Sequence, residues 1–285
     1  MFMDLSNGIY DLISTTYDGV LEGVRGIRLS NDVNGCSEGV LNVHIDGDPG
    51  NVSKIEMEFG RNRVRAMAFA NLGHALMRAG YKSQEGSGEV VVVMVLEASV
   101  PVSTMARAAI TVTEGITSAI QDLGLRYDSI SASGSLRQNL VIVRRRDSDV
   151  KVRGAGNHCK LGELIGASTI DSVKASAVKN GVDSGFRRSL MLLLSEYGIT
   201  AEDLKPISGA DGHPTDFDKK DSDGMHIASV SAVLHIEDCI RWGLVPKEQG
   251  TAAGNAIICS CFGISDAGDD LLDSLKLAVS DYLFG

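Results

Sequence analysis

The alternation of apolar and polar residues along the chain predicts several β-strands. The run EVVVVMVL at 89–96 is continuous and rich in β-branched residues, which is typical of a strand buried on both faces. Shorter apolar or alternating runs predict further strands at 25–30, 38–46, 53–59 and 139–144. Residues 149–153 are predicted to pair with the last of these as a hairpin, joined by RRDS.

Apolar residues spaced by three and four predict helices between these strands. In the first part of the chain they cover 4–24, 62–80, 103–123 and 161–179. Later segments read as helices at 183–198 and 271–284, and NAIICSCFG at 255–263 resembles a strand. Because strands and helices do not alternate strictly, we expect an α/β or α+β fold, a layered mixed sheet with flanking helices.

The length of 285 residues fits one large domain or two small ones. The pattern of predicted elements changes near residue 183, from mixed strands and helices to mainly helices. We therefore predict a domain over residues 1–182 and a C-terminal extension of helices and a strand over 183–285. The extension is either separate or part of the same globule. Its acidic loop, GADGHPTDFDKKDSDGMH at 209–226, is the best candidate boundary, unless a loop of this length is functional.

Composition narrows the classes of partner. The net charge of −10 and the aromatic content of 5% disfavour nucleic acid, which needs a basic face and stacking side chains. No stretch approaches ~20 consecutive apolar residues, so we expect no membrane span. The five cysteines and the absence of a basic, apolar start favour a reducing cytoplasm over a secreted disulfide framework.

The segment GAGNHCKLGELIG at 154–166 places an imidazole, a thiol and an ammonium where a helix begins. Glycines ahead of a helix leave backbone N–H groups free for an anion or an oxyanion, and Lys160 and His158 add positive charge or a titrating group. Glu163 lies three residues beyond Lys160 on the same helix face. The alternative is an ordinary capped helix start, with Asn157 or His158 as the cap.

Two further segments carry polar groups that have both structural and functional interpretations. On the helix that contains TEGITSAIQDLG at 113–124, Glu114 falls roughly 140° from the apolar side, so its carboxylate is either solvated or directed into a cleft. The loop SISASGSLRQN at 129–139 offers the hydroxyls of Ser129, Ser131, Ser133 and Ser135. These hydroxyls either bind a polar substrate or, given a base, act as nucleophiles.

Potential metal ligands are present but do not form a recognisable zinc motif. Cys259 and Cys261 would face one side of a strand, and His235 begins an H-x-E without a following P-C-x-x-C. In the acidic loop, His213 with Asp211, Asp216 and Asp218 offers a metal site or, as the favoured alternative, a solvated loop. We therefore predict no metal, and we expect the arginines at 144–146 to keep a hairpin end soluble and unpaired.

The order and spacing of three segments, TEGITSAIQDLG, SASGSLRQNLVIV and GNHCKLGELIG, resemble the CbiZ family of adenosylcobinamide amidohydrolases. The earlier segment GVLNVHIDGDP is also similar to a family strand that carries LN before a Pro-containing turn. The resemblance covers about residues 25–180. It implies an enzyme of corrinoid salvage, found in archaea and some bacteria, that cleaves the aminopropanol amide to give adenosylcobyric acid.

The resemblance also implies roles for individual residues. An amide hydrolase needs an activated nucleophile, an oxyanion site and a proton for the leaving amine. Lys160 and the helix start would hold the oxyanion, and His158 would move the proton. Glu114 or Glu163 would activate water. Ser133 or Ser135 would bind the substrate or attack its amide carbon. The residues implied in catalysis are Glu114, Ser135, His158, Lys160 and Glu163; those implied in substrate binding are Asn42, Ser133, Gly134, Asn139, Gly156 and Asn157.

The chain departs from the family pattern in two places. Family members read T-E-A-K where this chain has Thr113, Glu114, Gly115 and Ile116, and they read T-G-T-x-T-D where this chain has residues 133–139. If a replaced residue is essential, the chain binds a corrinoid or a related ligand without hydrolysing it. We expect a corrinoid as substrate, no required cofactor, and a lid or an interface between copies as the role of the last 100 residues.

Overall fold

A computed structural model of the chain describes residues 1–73, 76–82, 85–127, 130–182, 189–204, 214–265 and 268–285. The chain divides into two compact units. The first contains Met1–Tyr127 and Ser131–Gly185, and the second contains Asp128–Ile130 and Phe186–Gly285. None of the helices in the described ranges combines the length and the apolarity that a membrane crossing requires. The architecture confirms the predicted mixed α/β class.

Strands dominate the first unit. Their bounds are β1 Phe2–Asp4, β2 Tyr10–Ser14, β3 Val20–Val24, β4 Gly26–Ser30, β5 Gly35–Ser37, β6 Val40–His44, β7 Ser53–Phe59, β8 Asn62–Asn71, β9 Leu76–Met77, β10 Glu89–Leu96, β11 Arg126–Tyr127, β12 Ile130–Ser131, β13 Gly134–Ser135 and β14 Arg137–Arg145. Two long helices complete it, α1 Val102–Asp122 and α2 Lys160–Lys179.

Most of the strands build two sheets of mixed direction, and β11 and β12 pair as a separate two-stranded sheet. A six-stranded sheet has the order β3-β2-β14-β10-β8-β7, in which only β10 and β14 are parallel neighbours. A four-stranded sheet has the order β1-β4-β6-β5, and the short strands β13 and β9 form a separate antiparallel ladder. Helix α1 connects the two parallel strands, as a βαβ crossover requires.

The central strand β10 is covered on both faces, so the first unit has three layers. Its residues Val91, Val93 and Val95 belong to a core shared with the four-stranded sheet. The alternate residues face α1 and α2, as shown by the Ser168 hydroxyl of α2, which lies 4.0 Å from the Met94 sulfur. This double coverage explains why the strand is apolar throughout, as the sequence predicted.

Helices α1 and α2 run side by side because small residues allow a close approach. A Cβ added to Gly115 of α1 would lie 2.9 Å from Cβ of Thr169 on α2, which is too close for two carbon atoms. Near the other end of the pair, the Lys174 ammonium of α2 lies 3.2 Å from the Asp122 carboxylate of α1. The order of these contacts along both helices shows that they are parallel.

Two segments of the first unit that were predicted as helices are strands. Within 4–24, Tyr10 and Leu12 alternate into the core, and Gly19 adopts a φ of 82° in the turn before β3. Within 62–80, β8 lies between β7 and β10, and its alanines allow α2 to pack closely. Pairing with neighbouring strands therefore overrides the helical propensity of these sequences.

The predicted hairpin between 139–144 and 149–153 is also wrong. Strand β14 pairs with β10 on one edge and with β2 on the other, so both edges are already occupied. The segment that was expected to pair with it contributes a single bridge, between Lys151 and Ser99.

The arginines at 144–146 form ion pairs, although the side chain of Arg146 stays about half-exposed, and they do not mark a hairpin end as was predicted. Asp11 is fully buried, and its carboxylate lies 3.0 Å from Arg144 and 3.7 Å from Arg146. Arg145 lies 3.7 Å from the carboxylate of Glu97. These pairs neutralise acidic groups that would otherwise be costly to bury.

Burial and a 2.8 Å hydrogen bond to Glu97 raise the pKa of Tyr10 to about 12. A folded-state pKa above the unfolded value of ~10 gives stability that is present below pH ~10 and is lost as the pH rises toward ~12. We expect the free energy of unfolding of the wild type to fall in that window by up to about 1.4 kcal/mol per pH unit from this group.

In Tyr10→Phe, this alkaline loss is expected to be smaller, although the variant is less stable near neutrality because Glu97 loses a donor. Urea unfolding of both proteins on either side of pH ~10 measures the difference. An equal alkaline loss in both proteins would contradict the assignment.

The second unit is helical in its described residues. Its helices are α3 Leu190–Ser195, α4 Phe217–Asp221, α5 Gly224–Arg241, α6 Lys247–Phe262 and α7 Leu271–Phe284. Leucine, valine and isoleucine side chains from α3, α5, α6 and α7 form one buried core. The carboxylates of Asp223 and Asp270 accept backbone N–H groups at the starts of α5 and α7, which satisfies donors that have no partner within a helix.

The outcome of the predictions for this unit is mixed. The helix at 271–284 is confirmed as α7, but 255–263 lies within α6 and is not a strand. A short apolar run does not distinguish a strand from a buried helix, which explains the error. Cys259 and Cys261 therefore point about 200° apart around a helix rather than to one side. Residues 183–188 of the predicted helix 183–198 lie outside the described residues.

Candidate functional site

One side of α1, called its outer face below, contacts the loop before α2 and the serine-rich loop; it runs from Thr111, which is buried at its edge, to the exposed Glu114. Thr111, Glu114 and Thr117 follow each other at intervals of three residues, so their side chains lie along one side of the helix. The first two of these side chains bind the loop before α2, and the third binds the serine-rich loop. The spacing places successive contacts about 4.5 Å apart along the helix axis.

The loop that precedes α2 runs along this face. The hydroxyl of Thr104 donates to the carbonyl oxygen of Arg153 at 2.8 Å, and the hydroxyl of Thr111 donates to that of Ala155, also at 2.8 Å. Farther along the helix, the side-chain amide of Asn157 donates to the carboxylate of Glu114 at 2.7 Å. The loop is therefore fixed by three side-chain bonds to α1, the last of which joins two exposed, predicted site residues.

The serine-rich loop binds the same face one turn farther on. The hydroxyl of Thr117 donates to the carbonyl oxygen of Ser133 at 2.8 Å. The hydroxyl of Ser133 accepts the N–H of Ala79 at 2.9 Å, and the buried hydroxyl of Ser135 donates to the carbonyl oxygen of Arg137 at 2.6 Å. Both predicted hydroxyls thus hold the loop in place. Ser129 lies outside the described residues.

Helix α2 begins without a side-chain cap, which overturns the simple capping interpretation. Cys159 is the N-cap, its side chain makes no capping hydrogen bond, and its thiol donates to the carbonyl oxygen of Gly156 at 3.2 Å. The side chain of Asn157 is directed to Glu114 instead. The first turn of α2 is therefore not capped by Cys159, and the carbonyl oxygen of Gly156 packs against this turn at Gly162.

Lys160 and Glu163 form a pair with each other and not with Glu114. The Lys160 ammonium contacts the Glu163 carboxylate and lies 4.6 Å from the ring centre of Phe59, at the end of β7. Both charged side chains are partly solvated. The structure consequently separates the predicted catalytic residues into two groups, one around Glu114 and Asn157 and another around Lys160.

His158 and Arg107 flank Gly156 on the α1 side of the loop. A Cβ placed on Gly156 would lie 3.2 Å from the imidazole of His158 and 3.6 Å from Cδ of Arg107. Arg107 is exposed and lies two helical turns before Glu114, so the same face of α1 carries a cation and a carboxylate. The arrangement offers a carboxylate, an imidazole and a guanidinium.

Two predicted substrate-binding residues lie elsewhere in the first unit. Asn42 alternates with the buried Leu41 and Val43 on β6, so it faces away from the core between the sheets and bonds to Ser30 and to the carbonyl oxygen of Val33. Asn139 lies on the face of β14 opposite α1, within 3.5 Å of the Thr15 hydroxyl. Gly134, by contrast, is buried next to Ser133 in β13.

The missing lysine of the T-E-A-K pattern does not alter this face. Ile116 is fully buried, and it lies about 200° from Glu114 around the helix. Its neighbour Gly115 allows α2 to approach. These two departures from the family pattern therefore affect the packing of α1 and leave the exposed side of the helix unchanged.

In the described residues, no group of three or more histidine, cysteine, aspartate or glutamate side chains lies close enough to hold a metal ion. His213 and Asp211 of the predicted acidic cluster lie outside the described residues. Asp216, which is described, lies 3.2 Å from the Lys220 ammonium.

Sequence reasoning missed the threonines of α1 and Arg107. Threonine is a weak helix former, because its hydroxyl competes for backbone groups and its β-branch restricts the side chain. Several threonines on the polar side of one long helix were therefore a signal that their hydroxyls bind neighbouring chain segments. Arg107 carried no motif, and only the path of the loop brings it to Gly156.

The segment that contains this arrangement is similar to a family of hydrolases. Residues 50–184 match the family model described as adenosylcobinamide amidohydrolase, CbiZ. The match includes α1, the serine-rich loop and α2, so the resemblance inferred from the motifs is confirmed over that segment.

A curated relative gives no further information on activity. An uncharacterized protein of Methanocaldococcus jannaschii is 29% identical over 152 residues, which cover 45% of this chain and 59% of the relative. The match thus spans less than two thirds of that protein.

Gly162 and Gly166, four residues apart on α2, provide a matched test of how the loop is held. A Cβ on Gly162 would overlap with the carbonyl oxygen of Gly156, whereas a Cβ on Gly166 would meet its nearest neighbour, Cγ2 of Thr111, at 4.0 Å. We expect Gly162→Ala to lower the free energy of unfolding by about 1–3 kcal/mol. Gly166→Ala is expected to raise it by about 0.5–1 kcal/mol.

Thermal or urea unfolding of the two variants measures these changes. Equal effects of the two substitutions would show that the loop does not fold back over the first turn of α2.

Proposed function

We propose that the chain is an amidohydrolase of corrinoid salvage, which hydrolyses the aminopropanol amide of adenosylcobinamide to adenosylcobyric acid. The observation that supports this most strongly is the convergence of the three family motifs on the outer face of α1. The 2.7 Å hydrogen bond between Glu114 and Asn157 joins the first motif to the third. The Thr117 hydroxyl joins the first to the second.

Glu114 is the general base of this proposal. One carboxylate oxygen, Oε2, accepts the Asn157 amide, which orients the group and leaves the other oxygen to accept a proton from water. The water then attacks the amide carbon, and a tetrahedral oxyanion forms. Glu114 is preferred over Glu163 because Glu163 is engaged by the Lys160 ammonium. A positioned general base contributes typically 10²–10⁴-fold to a rate.

In this proposal, three other groups supply the remaining needs of amide hydrolysis. The N–H groups at the start of α2 are suited to the oxyanion, because they are fixed dipoles that need no reorganisation during the reaction. His158, beside Gly156, donates the proton that the leaving amine requires when the C–N bond breaks. Arg107 adds positive charge to the same side of the loop. In this scheme water attacks directly and no serine is acylated.

A second function, corrinoid binding without hydrolysis, is favoured by one observation. The hydroxyls of Ser133 and Ser135 are engaged by backbone groups, and their loop is where the chain departs from the family pattern. If the family needs a reactive hydroxyl there, this chain lacks it. Binding with no turnover is the result that would establish this alternative.

The two functions are separated by one assay on the full-length protein. Purified protein is incubated with adenosylcobinamide, corrinoid binding is followed by the visible spectrum, and products are separated by chromatography. We expect adenosylcobyric acid and free aminopropanol in equal amounts. A spectral change without product would favour the binding function, and neither change in a folded sample would remove both.

The choice between the two carboxylates is tested by a matched pair of substitutions. We expect Glu114→Gln to lower kcat by about 100-fold or more, because the amide cannot accept the proton of the attacking water. Glu163→Gln is expected to change kcat by less than about fivefold, since a partly exposed ion pair contributes little.

Steady-state kinetics of both variants, with circular dichroism as a check on folding, measures the difference. The reverse order of effects would assign the base to Glu163.

A further inference from the structure

A second cluster of reactive side chains lies on α5, outside the residues that match the CbiZ family. His235 and Cys239 are four residues apart, so they lie one above the other on the same side of the helix. The Cys239 sulfur is 3.8 Å from Nε2 of the His235 imidazole. His235 is exposed and Cys239 is partly exposed, so the pair is accessible to ions in solution.

The separation of these two atoms is close to the one that a single metal ion imposes. A tetrahedral zinc ion binds thiolate sulfur at about 2.3 Å and imidazole nitrogen at about 2.0–2.1 Å, which places sulfur and nitrogen about 3.5 Å apart. The observed 3.8 Å differs from this by a few tenths of an ångström. A small rotation of either side chain would close the difference without moving the backbone.

The backbone that carries the pair is fixed. The carbonyl oxygen of Cys239 accepts the N–H groups of Leu244 at 2.9 Å and of Val245 at 3.3 Å, which closes the end of α5. On the opposite side of the same helix, Val233 and Leu234 are buried in the core of the second unit. The two ligands are therefore preorganised on a rigid element, which lowers the entropic cost of binding.

The neighbouring carboxylates of α5 are directed to other partners. Glu237 lies 3.0 Å from the Arg241 guanidinium, and Asp238 is buried and accepts the Tyr197 hydroxyl at 2.9 Å. The pair that faces solvent thus consists of one thiol and one imidazole. Such a donor set suits zinc and cobalt and is poorly matched to magnesium or calcium, which prefer oxygen.

We propose that His235 and Cys239 form a two-ligand binding site for a divalent cation of the zinc class. On binding, the thiol releases its proton to solvent, metal–sulfur and metal–nitrogen bonds form, and four of the water molecules of the hydrated ion leave as it becomes tetrahedral. Water keeps the remaining coordination positions. Binding is consequently tighter at higher pH, because the thiolate is the ligand.

Cobalt(II) is a spectroscopic probe for this site. Titration of the reduced full-length protein with Co²⁺ is expected to give a thiolate-to-cobalt charge-transfer band in the near ultraviolet, which added Zn²⁺ abolishes. Cys239→Ser should remove the band, and His235→Gln should weaken Co²⁺ binding by more than about tenfold. The control Cys259→Ser should leave it unchanged.

An unchanged band in Cys239→Ser, or no band in the wild type, would overturn the proposal.

A second measurement does not depend on the absorption band of cobalt. Zn²⁺ should slow the alkylation of Cys239 by iodoacetamide, followed by peptide mass spectrometry, while the exposed Cys36 reacts at the same rate with and without Zn²⁺. In His235→Gln this protection should largely disappear. Equal protection of both cysteines, or protection that persists in His235→Gln, would contradict a site formed by this pair.

Discussion

The candidate site depends on a set of hydrogen bonds between the outer face of α1 and two loops that are distant in sequence. Thr111 and Glu114 hold the loop before α2, and Thr117 holds the serine-rich loop before β14. The serine-rich loop is held in addition by the ladder between β13 and β9. The proposed catalytic groups are therefore positioned by the surface of α1, while the opposite side of the same helix is part of the core.

The secondary structure was predictable where a segment is uniformly buried. The prediction failed where pairing with strands distant in sequence decides the structure. The strand at 89–96 and the helices α1, α2 and α7 follow from apolar runs and from helical spacing. Residues 62–71 are rich in alanine and have helical spacing, yet they form β8 because β7 and β10 complete its hydrogen bonds. Local sequence does not contain that information.

The site was predictable in its segments but only partly in its contacts. The resemblance to CbiZ selected the three motifs that meet on α1, and helical geometry placed Glu114 on its polar side. The spacing by three residues also placed Glu163 beside Lys160. Neither the resemblance nor helical geometry indicated that Asn157 would bind Glu114, or that Ser135 would donate to a backbone carbonyl. These contacts are set by the path of two loops, which spacing along the chain does not fix.

The most direct test is a crystal structure of Glu114→Gln with adenosylcobinamide bound. If the face of α1 is the site, the aminopropanol amide lies beside residue 114, its carbonyl carbon within about 3–3.5 Å of a water held there. A corrinoid seated instead against the outer face of the four-stranded sheet near Asn42, or against the second unit alone, would contradict the account.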